Sequence, residues 1–444
     1  MSGNGRNKIS VAAGTAVGLG AIIGAGIFVL SGTAVAIAGI YALAAFIIVG
    51  VVAIIIALEL GELGALMPYV KGASYSYTYK AFGSELGFIT GILRYLSLVV
   101  AISAIALGFG SYLSNLAIGS ASGAYPILFA IAAIVALSIV NMFGVKKAAQ
   151  ADLGLVIIKI AILLIFVAFA VFMVLSRPGS VPVISFSAQG GMIGGIFAAS
   201  VVVFFAYSGF QSISAITDRI SGGARGYVKA IMSAVIISMV VYVLVVVATL
   251  LLVPPSLYHN LLTADPLSYV LGQAHAPSWL LVLTDIGALV ATASATIAMI
   301  LASSRALYQM GDDHLLPRFF RKYNKNRDTA ENGIIISAII GILMLFAGNI
   351  YIIASIANFG LMFNYLMLGF DIMHFRRTKA KSPFRMPLYP YLPIVSTVLL
   401  LVFFTGLDQQ VLSMGVILII LLLVIYYMLR EMREKKVVRV KLFD

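Results

Sequence analysis

The sequence predicts an all-α polytopic membrane protein: twelve transmembrane helices, two inverted five-helix halves and two appended helices. Three observations carry this. The 444 residues are 62% hydrophobic and only 10% charged, against about 25% charged in soluble domains. The apolar residues gather into twelve stretches, near 11–38, 41–67, 86–114, 125–142, 151–175, 191–216, 227–253, 278–309, 333–348, 350–374, 391–407 and 411–429. Two of these, five spans apart, are weakened by glycine at mid-length.

The first stretch, VAAGTAVGLGAIIGAGIFVLSGTAVAIA, holds no charge. As a helix rising about 1.5 Å per residue it would outrun a hydrocarbon core of about 30 Å. It is too long for the h-region of a cleaved signal, so it is expected to act as its own insertion signal. Gly18, Gly20, Gly24 and Gly26 fall inside it. Glycine lets the backbone leave helical geometry and lets a ligand approach the main chain. Two readings stand. The span breaks near Ile23-Gly24-Ala25-Gly26, and the half-helix ends bind a polar solute; or it is continuous, and the glycines serve close helix packing. A phosphate-binding loop is excluded by the glycine spacing and the lack of a preceding strand.

Later spans are divided by short or basic linkers. Gly39-Ile40 and Asn349-Ile350 leave little room between spans. The loop at 311–332 and the segment at 376–390 are basic, and 254–277 carries Pro254, Pro255, Pro266 and Pro277. With the N-terminus inside, all of the 29 Lys and Arg residues except Arg94, Lys159 and Arg177 fall in inner loops, inner helix ends or the termini. That is the bias expected of inner loops. The net charge of +13 is therefore read as topology, with anionic lipid as a contact for the tail, and nucleic acid is not expected. The chain has no cysteine, which excludes disulfides and thiolate metal sites. Trp279 suits an interfacial anchor.

Span six, GGMIGGIFAASVVVFFAYSGFQSISAITDRI, has its weak point at Tyr207-Ser208-Gly209. Interrupted helices at matching places in two five-span halves point to an inverted repeat. The expected organisation is an inner N-terminus (1–10), a first repeat (11–175), a second inverted repeat (191–376), helices 11 and 12 (391–429) and a basic inner tail (430–444).

Five motifs resemble one family. GLGAIIGAGIFVLSG (18–32), ELGALMPYVKGASYSYTYKAFG (62–83), FFAYSGFQSISA (204–215), SRALYQMGDDHLLPRFF (304–320) and PFRMPLYPYLPI (383–394) are similar, in order, to segments of amino acid–polyamine–organocation (APC) transporters. The resemblance covers most of the chain. It implies a leucine-transporter-like 5+5 inverted repeat with broken helices 1 and 6, and amino acid uptake or exchange by alternating access.

An amino acid brings a carboxylate and an ammonium. The carboxylate suits the positive N-terminal end of a half-helix beginning near Ala25-Gly26. The ammonium suits carbonyls of Phe204, Phe205, Ala206 and Tyr207, with Ser208 beside them, and of Ile23. The resemblance assigns the same roles and places Phe205 where related permeases carry an aromatic gate; a plain packing phenylalanine is the alternative.

Lys159 lies deep in span five, where a charge costs about 3 kcal/mol or more and where the inner interface is a long reach. The resemblance sets its ammonium where sodium-coupled relatives bind a cation, with Gly20, Ala21 and Ser294 or Ser303 as expected neighbours. A buried lysine loses its proton readily, so protonation would replace sodium in coupling. Arg94, about two turns into span three, is expected to pair with Glu59 or Glu62 of span two, with snorkelling or attraction of an acidic group as the alternatives. Gln211 departs from the acidic residue of many relatives and cannot titrate, which argues against cationic substrates. Asp285 and Asp371, near helix ends, are read as solvated. The four scattered histidines form no metal pattern, and no nucleophile–base pair is identifiable. No enzyme activity, cofactor or metal is expected, and no oligomeric state is implied.

The sequence thus leads to a multi-pass cell-membrane transporter for neutral amino acids, proton-coupled, with both termini cytoplasmic. An amino acid exchanger and a non-transporting sensor of the same fold are the alternatives.

Overall fold

The computed structural model describes residues 8–68, 74–144, 148–176, 191–260, 265–324 and 326–441. Lys71, Lys146, Lys147 and Arg177, which contribute to the orientation argument, lie outside them, as do residues 1–7 of the expected N-terminal segment. Among the described residues fifteen α-helices follow one another: α1 (Val11–Ile22), α2 (Ala25–Ala38), α3 (Ala42–Leu66), α4 (Ser74–Phe82), α5 (Ser84–Ile118), α6 (Tyr125–Met142), α7 (Ala148–Ser176), α8 (Gly191–Ala206), α9 (Gly223–Leu252), α10 (Pro266–Gln273), α11 (Ser278–Asp312), α12 (Glu331–Met344), α13 (Ile350–Arg377), α14 (Tyr391–Thr405) and α15 (Gln409–Lys441). Among the described residues, nine helical stretches are long and apolar enough to cross a membrane, and α1, α12 and α14 are shorter apolar helices.

Local chemistry fixes several ends. The Ser10 hydroxyl caps α1 by accepting from the Ala13 amide at 3.1 Å, and Asn349 Oδ1 caps α13 by accepting from the Ile352 amide at 3.0 Å. Each satisfies one of the orphan donors of a helix N-terminus. Gly119 ends α5 in the left-handed conformation, the usual C-terminal use of glycine.

The helices divide into a buried set and a peripheral set. α2, α5, α8 and α13 are largely enclosed, whereas α6, α7 and α15 turn many large apolar side chains outward, among them Leu128, Phe172, Leu175 and Ile417. An aliphatic outer face suits lipid, which offers no water to hydrogen-bond with a backbone.

Both weak points are real interruptions. α1 stops at Ile22; Ile23 and Gly24 are non-helical, and α2 starts at Ala25. α8 stops at Ala206, Gly209 adopts a φ of 113°, and the chain continues as a 3-10 helix over Phe210–Arg219. The two interrupted rods run antiparallel. Ahead of α1, the Ile9 carbonyl accepts from the Ser221 amide at 2.9 Å, just past the 3-10 helix. At the other end, Ala21 meets the start of that helix at Gly209. α2 in turn packs on α8. The first half of each rod thus lies against the second half of the other.

Candidate functional site

The two interruptions face one another at the centre of the bundle. A Cβ on Gly209 would stand 2.4 Å from the Ala21 carbonyl oxygen, and one on Gly26 would stand 2.2 Å from Ala206 Cα. Neither position has room for a side chain, so main chain meets main chain. Gly24 is similarly confined by the Ala295 methyl, 2.7 Å from its would-be Cβ.

Gly24 precedes α2 with no side-chain cap. The amides of the first α2 turn, including Ala25 and Gly26, have no acceptor within their own helix and sit at its positive end. Chemically, such an end can accept an anion on backbone alone.

Three tyrosines pin the breaks. The Tyr242 hydroxyl on α9 lies 2.7 Å from the Ile22 carbonyl and 3.0 Å from the Ala206 carbonyl, the last residues of α1 and α8. The Tyr207 hydroxyl donates to the Phe46 carbonyl at 2.9 Å, anchoring the second break to α3. The Tyr365 hydroxyl donates at 2.6 Å to Gln211 Oε1, which also accepts from the Gly209 amide at 3.0 Å. Gln211 is thus a structural acceptor. Composition did not reveal these tyrosines. The available signal was a polar tip in an aliphatic run: VVYVLVVV around Tyr242 offers one hydroxyl that burial obliges to find a partner.

The carbonyls at the second break are not all open. That of Phe205 accepts from the Ser208 amide at 3.0 Å and the Ser208 hydroxyl at 2.7 Å, and that of Ala206 accepts from Tyr242. Those of Ile23 and Phe204 have no side-chain partner among the described residues. Phe204 packs its ring on Tyr365 and Phe403, at centroid distances of 5.8 and 6.0 Å. Phe205 is buried beside it.

Lys159 on α7 is fully buried. Its Nζ donates to the Ser294 hydroxyl of α11 and lies 3.5 Å from the Gly20 carbonyl of α1. The ammonium therefore joins three helices, one of them the first half of the first broken rod.

Two expectations are corrected. Arg94 pairs with neither Glu59 nor Glu62. It donates to the Ser74 hydroxyl, which donates on to Asn364 Oδ1 at 3.1 Å. Glu62 is taken by Arg376, whose Nε and Nη2 donate to its two oxygens at 2.6 and 2.8 Å, with the Met386 amide adding 2.8 Å. The planar guanidinium matches a carboxylate in this two-point fashion, and the partner came from far along the chain. Asp371 and Asp285 are not solvated. Thr78 donates to Asp371 at 2.9 Å, Ser268 and Asn115 hold Asp285, and both carboxyls are buried.

The fold and the apolar helices define an α-helical, multi-pass membrane protein whose two helix interruptions meet. A family model described as amino acid permease matches residues 14–441, and the chain belongs to that family. It is 29% identical to the methylthioribose transporter of Bacillus subtilis, covering 86% of this chain and 84% of the relative. It is 26% identical to the branched-chain amino acid permease BcaP of the same organism, covering 85% and 83%. It is 27% identical to BcaP of Lactococcus lactis, covering 89% and 88%. These relatives are transporters and permeases, not enzymes.

Proposed function

We propose that the protein carries neutral amino acids into the cell, driven by protons, by alternating access between two inverted five-helix repeats within a twelve-span fold in the cell membrane, both termini cytoplasmic. The observation that carries this reading is the meeting of two broken helices whose ends are bare backbone. The substrate carboxylate takes the amides of Ala25 and Gly26 at the start of α2. The ammonium takes the Ile23 and Phe204 carbonyls, with Tyr207 and Ser208 shaping the break and Phe205 closing over it. Proximity to Ala21 and Gly209 binds both rods to any movement at the site.

Lys159 is the coupling group in this reading. Its ammonium bridges Gly20 and Ser294; without its proton that bridge loses its charge, and α1 is freed from α7 and α11. The absence of a carboxylate at Gln211 supports neutral substrates and leaves Lys159 as the titrating group at the breaks.

Likeness to a methylthioribose transporter supports a second reading, a substrate without carboxylate or ammonium. One experiment separates the two. Purified protein is titrated with a panel of neutral, cationic and acidic amino acids and methylthioribose, following thermal stabilisation. Stabilisation by neutral amino acids, lost when the carboxylate is amidated, supports the first. Stabilisation by methylthioribose alone supports the second. Binding without flux in proteoliposomes would select a sensor, and counterflow without any effect of pH an exchanger.

A further inference from the structure

Glu59 lies well inside α3, seven residues before its end at Leu66, roughly 10 Å along the axis. Its side chain is fully buried. Oε1 stands 2.5 Å from the Ser396 hydroxyl of α14, and Oε2 has no hydrogen-bond partner among the described residues. A neighbouring oxygen, Thr397 Oγ1, is also without a partner. Gly369 of α13 brings the two together: a Cβ there would stand 2.6 Å from Thr397 Oγ1 and 3.9 Å from Glu59 Oε1.

Asp371 on α13 is the charged group that acts on Glu59 electrostatically, and Glu62 lies three residues further along α3. Arg376 is committed to Glu62 and Arg94 to Ser74. Among the described residues no cation pairs with Glu59.

The single hydrogen of Ser396 can serve either of two acceptors. Its hydroxyl has one hydrogen and two neighbours, Glu59 Oε1 and, at 3.0 Å, the Pro393 carbonyl. The carbonyl can only accept. If Ser396 donates to it, the Ser396 oxygen is left to accept, and a protonated Glu59 satisfies it. An ionised Glu59 would instead leave Oε2 as a buried, unpaired charge, which costs several kcal/mol.

We propose that Glu59 is a proton-binding site separate from Lys159: held as the neutral acid, it donates to Ser396 and fastens the appended helix α14 to α3. The proton adds to a carboxylate oxygen and leaves by breaking the same O–H bond, with no other group changed. Loss of the proton puts an unpaired charge against α13 and α14 and forces the contact open to water. A transporter cycling through such a contact would carry a second proton-sensitive step, at the junction between the first repeat and the appended helices.

The test is infrared difference spectroscopy, in light and heavy water at neutral pH, on the full-length protein reconstituted in lipid. It reads protonation directly and does not depend on transport or on the substrate. The expected result is a deuterium-sensitive carboxylic-acid C=O band that disappears in Glu59→Gln, persists in Asp371→Asn and shifts in Ser396→Ala. Loss of an ionised-carboxylate band in Glu59→Gln, with every acid band retained, overturns the proposal. So does an acid band that vanishes only in Asp371→Asn. If Glu59→Gln does not fold, Ser396→Ala decides, and an unmoved acid band overturns the proposal.

Discussion

The Tyr242 hydroxyl stands 2.7 Å from the carbonyl of Ile22, the last residue of α1. The same hydroxyl reaches the end of α8 at Ala206. One hydroxyl hydrogen is therefore shared between acceptors freed by both interruptions. In a membrane interior such acceptors find no water, so the breaks persist because a third helix supplies the donor.

Tyr242→Phe keeps the ring and removes that donor. A buried acceptor left unsatisfied costs about 1–3 kcal/mol. The variant is expected to insert and fold, lose several degrees in thermal midpoint, and bind substrate about tenfold more weakly. Unchanged stability and affinity would remove Tyr242 from the account.

Gly209→Ala meets two obstacles, the positive φ and the Ala21 carbonyl. A left-handed residue with a Cβ costs roughly 1–2 kcal/mol, and the clash adds to it. Strong destabilisation is expected. Gly272→Ala, in α10 with open space around its would-be Cβ, is expected to be neutral or slightly stabilising. Thermal inactivation of the two variants side by side tests the difference. Gly26→Val is a poor probe of ligand binding, because contact with Ala206 already forbids the side chain.

The glycines marked where both interruptions fall but left breakage and close packing as equal readings of the first, since a missing Cβ serves either. Apolar runs are local as well, and helix bounds follow some of them closely, as at Tyr125–Met142. What holds the breaks was not legible. Tyr242 and Tyr365 act across the bundle, and their acceptors are carbonyls, which every residue has. Arg94 was matched to the acids nearest in the expected span order, but Glu62 found Arg376 from the far end of the second half. Asp371 looked solvated near a helix end, yet α4 folds over it and supplies Thr78.

Arg376→Gln leaves the buried Glu62 without its cation, at a cost of about 3–5 kcal/mol. The double variant Arg376→Gln/Glu62→Gln is expected to recover much of that loss. A thermal-inactivation series of the single and double variants reads the coupling. By contrast, the side chains of Arg305 and Asp328 are 40% and 45% exposed, and removal of this pair should cost less than about 1 kcal/mol.

Gln211→Glu puts a carboxylate where the amide oxygen accepts from Tyr365 and the Gly209 amide. Both donors remain, so the fold should survive. The new group titrates, and substrate affinity should acquire an added dependence on pH that wild type lacks. A pH series of binding isotherms checks this; identical profiles would show that the position is silent.

The most direct measurement is accumulation of a labelled neutral amino acid by proteoliposomes under an imposed pH gradient, in wild type and in Lys159→Ala. The account predicts uphill accumulation in wild type that collapses with the gradient. The variant should bind substrate and exchange it down its gradient without concentrating it. Full proton-driven accumulation in Lys159→Ala, or wild-type accumulation indifferent to the gradient, would contradict it.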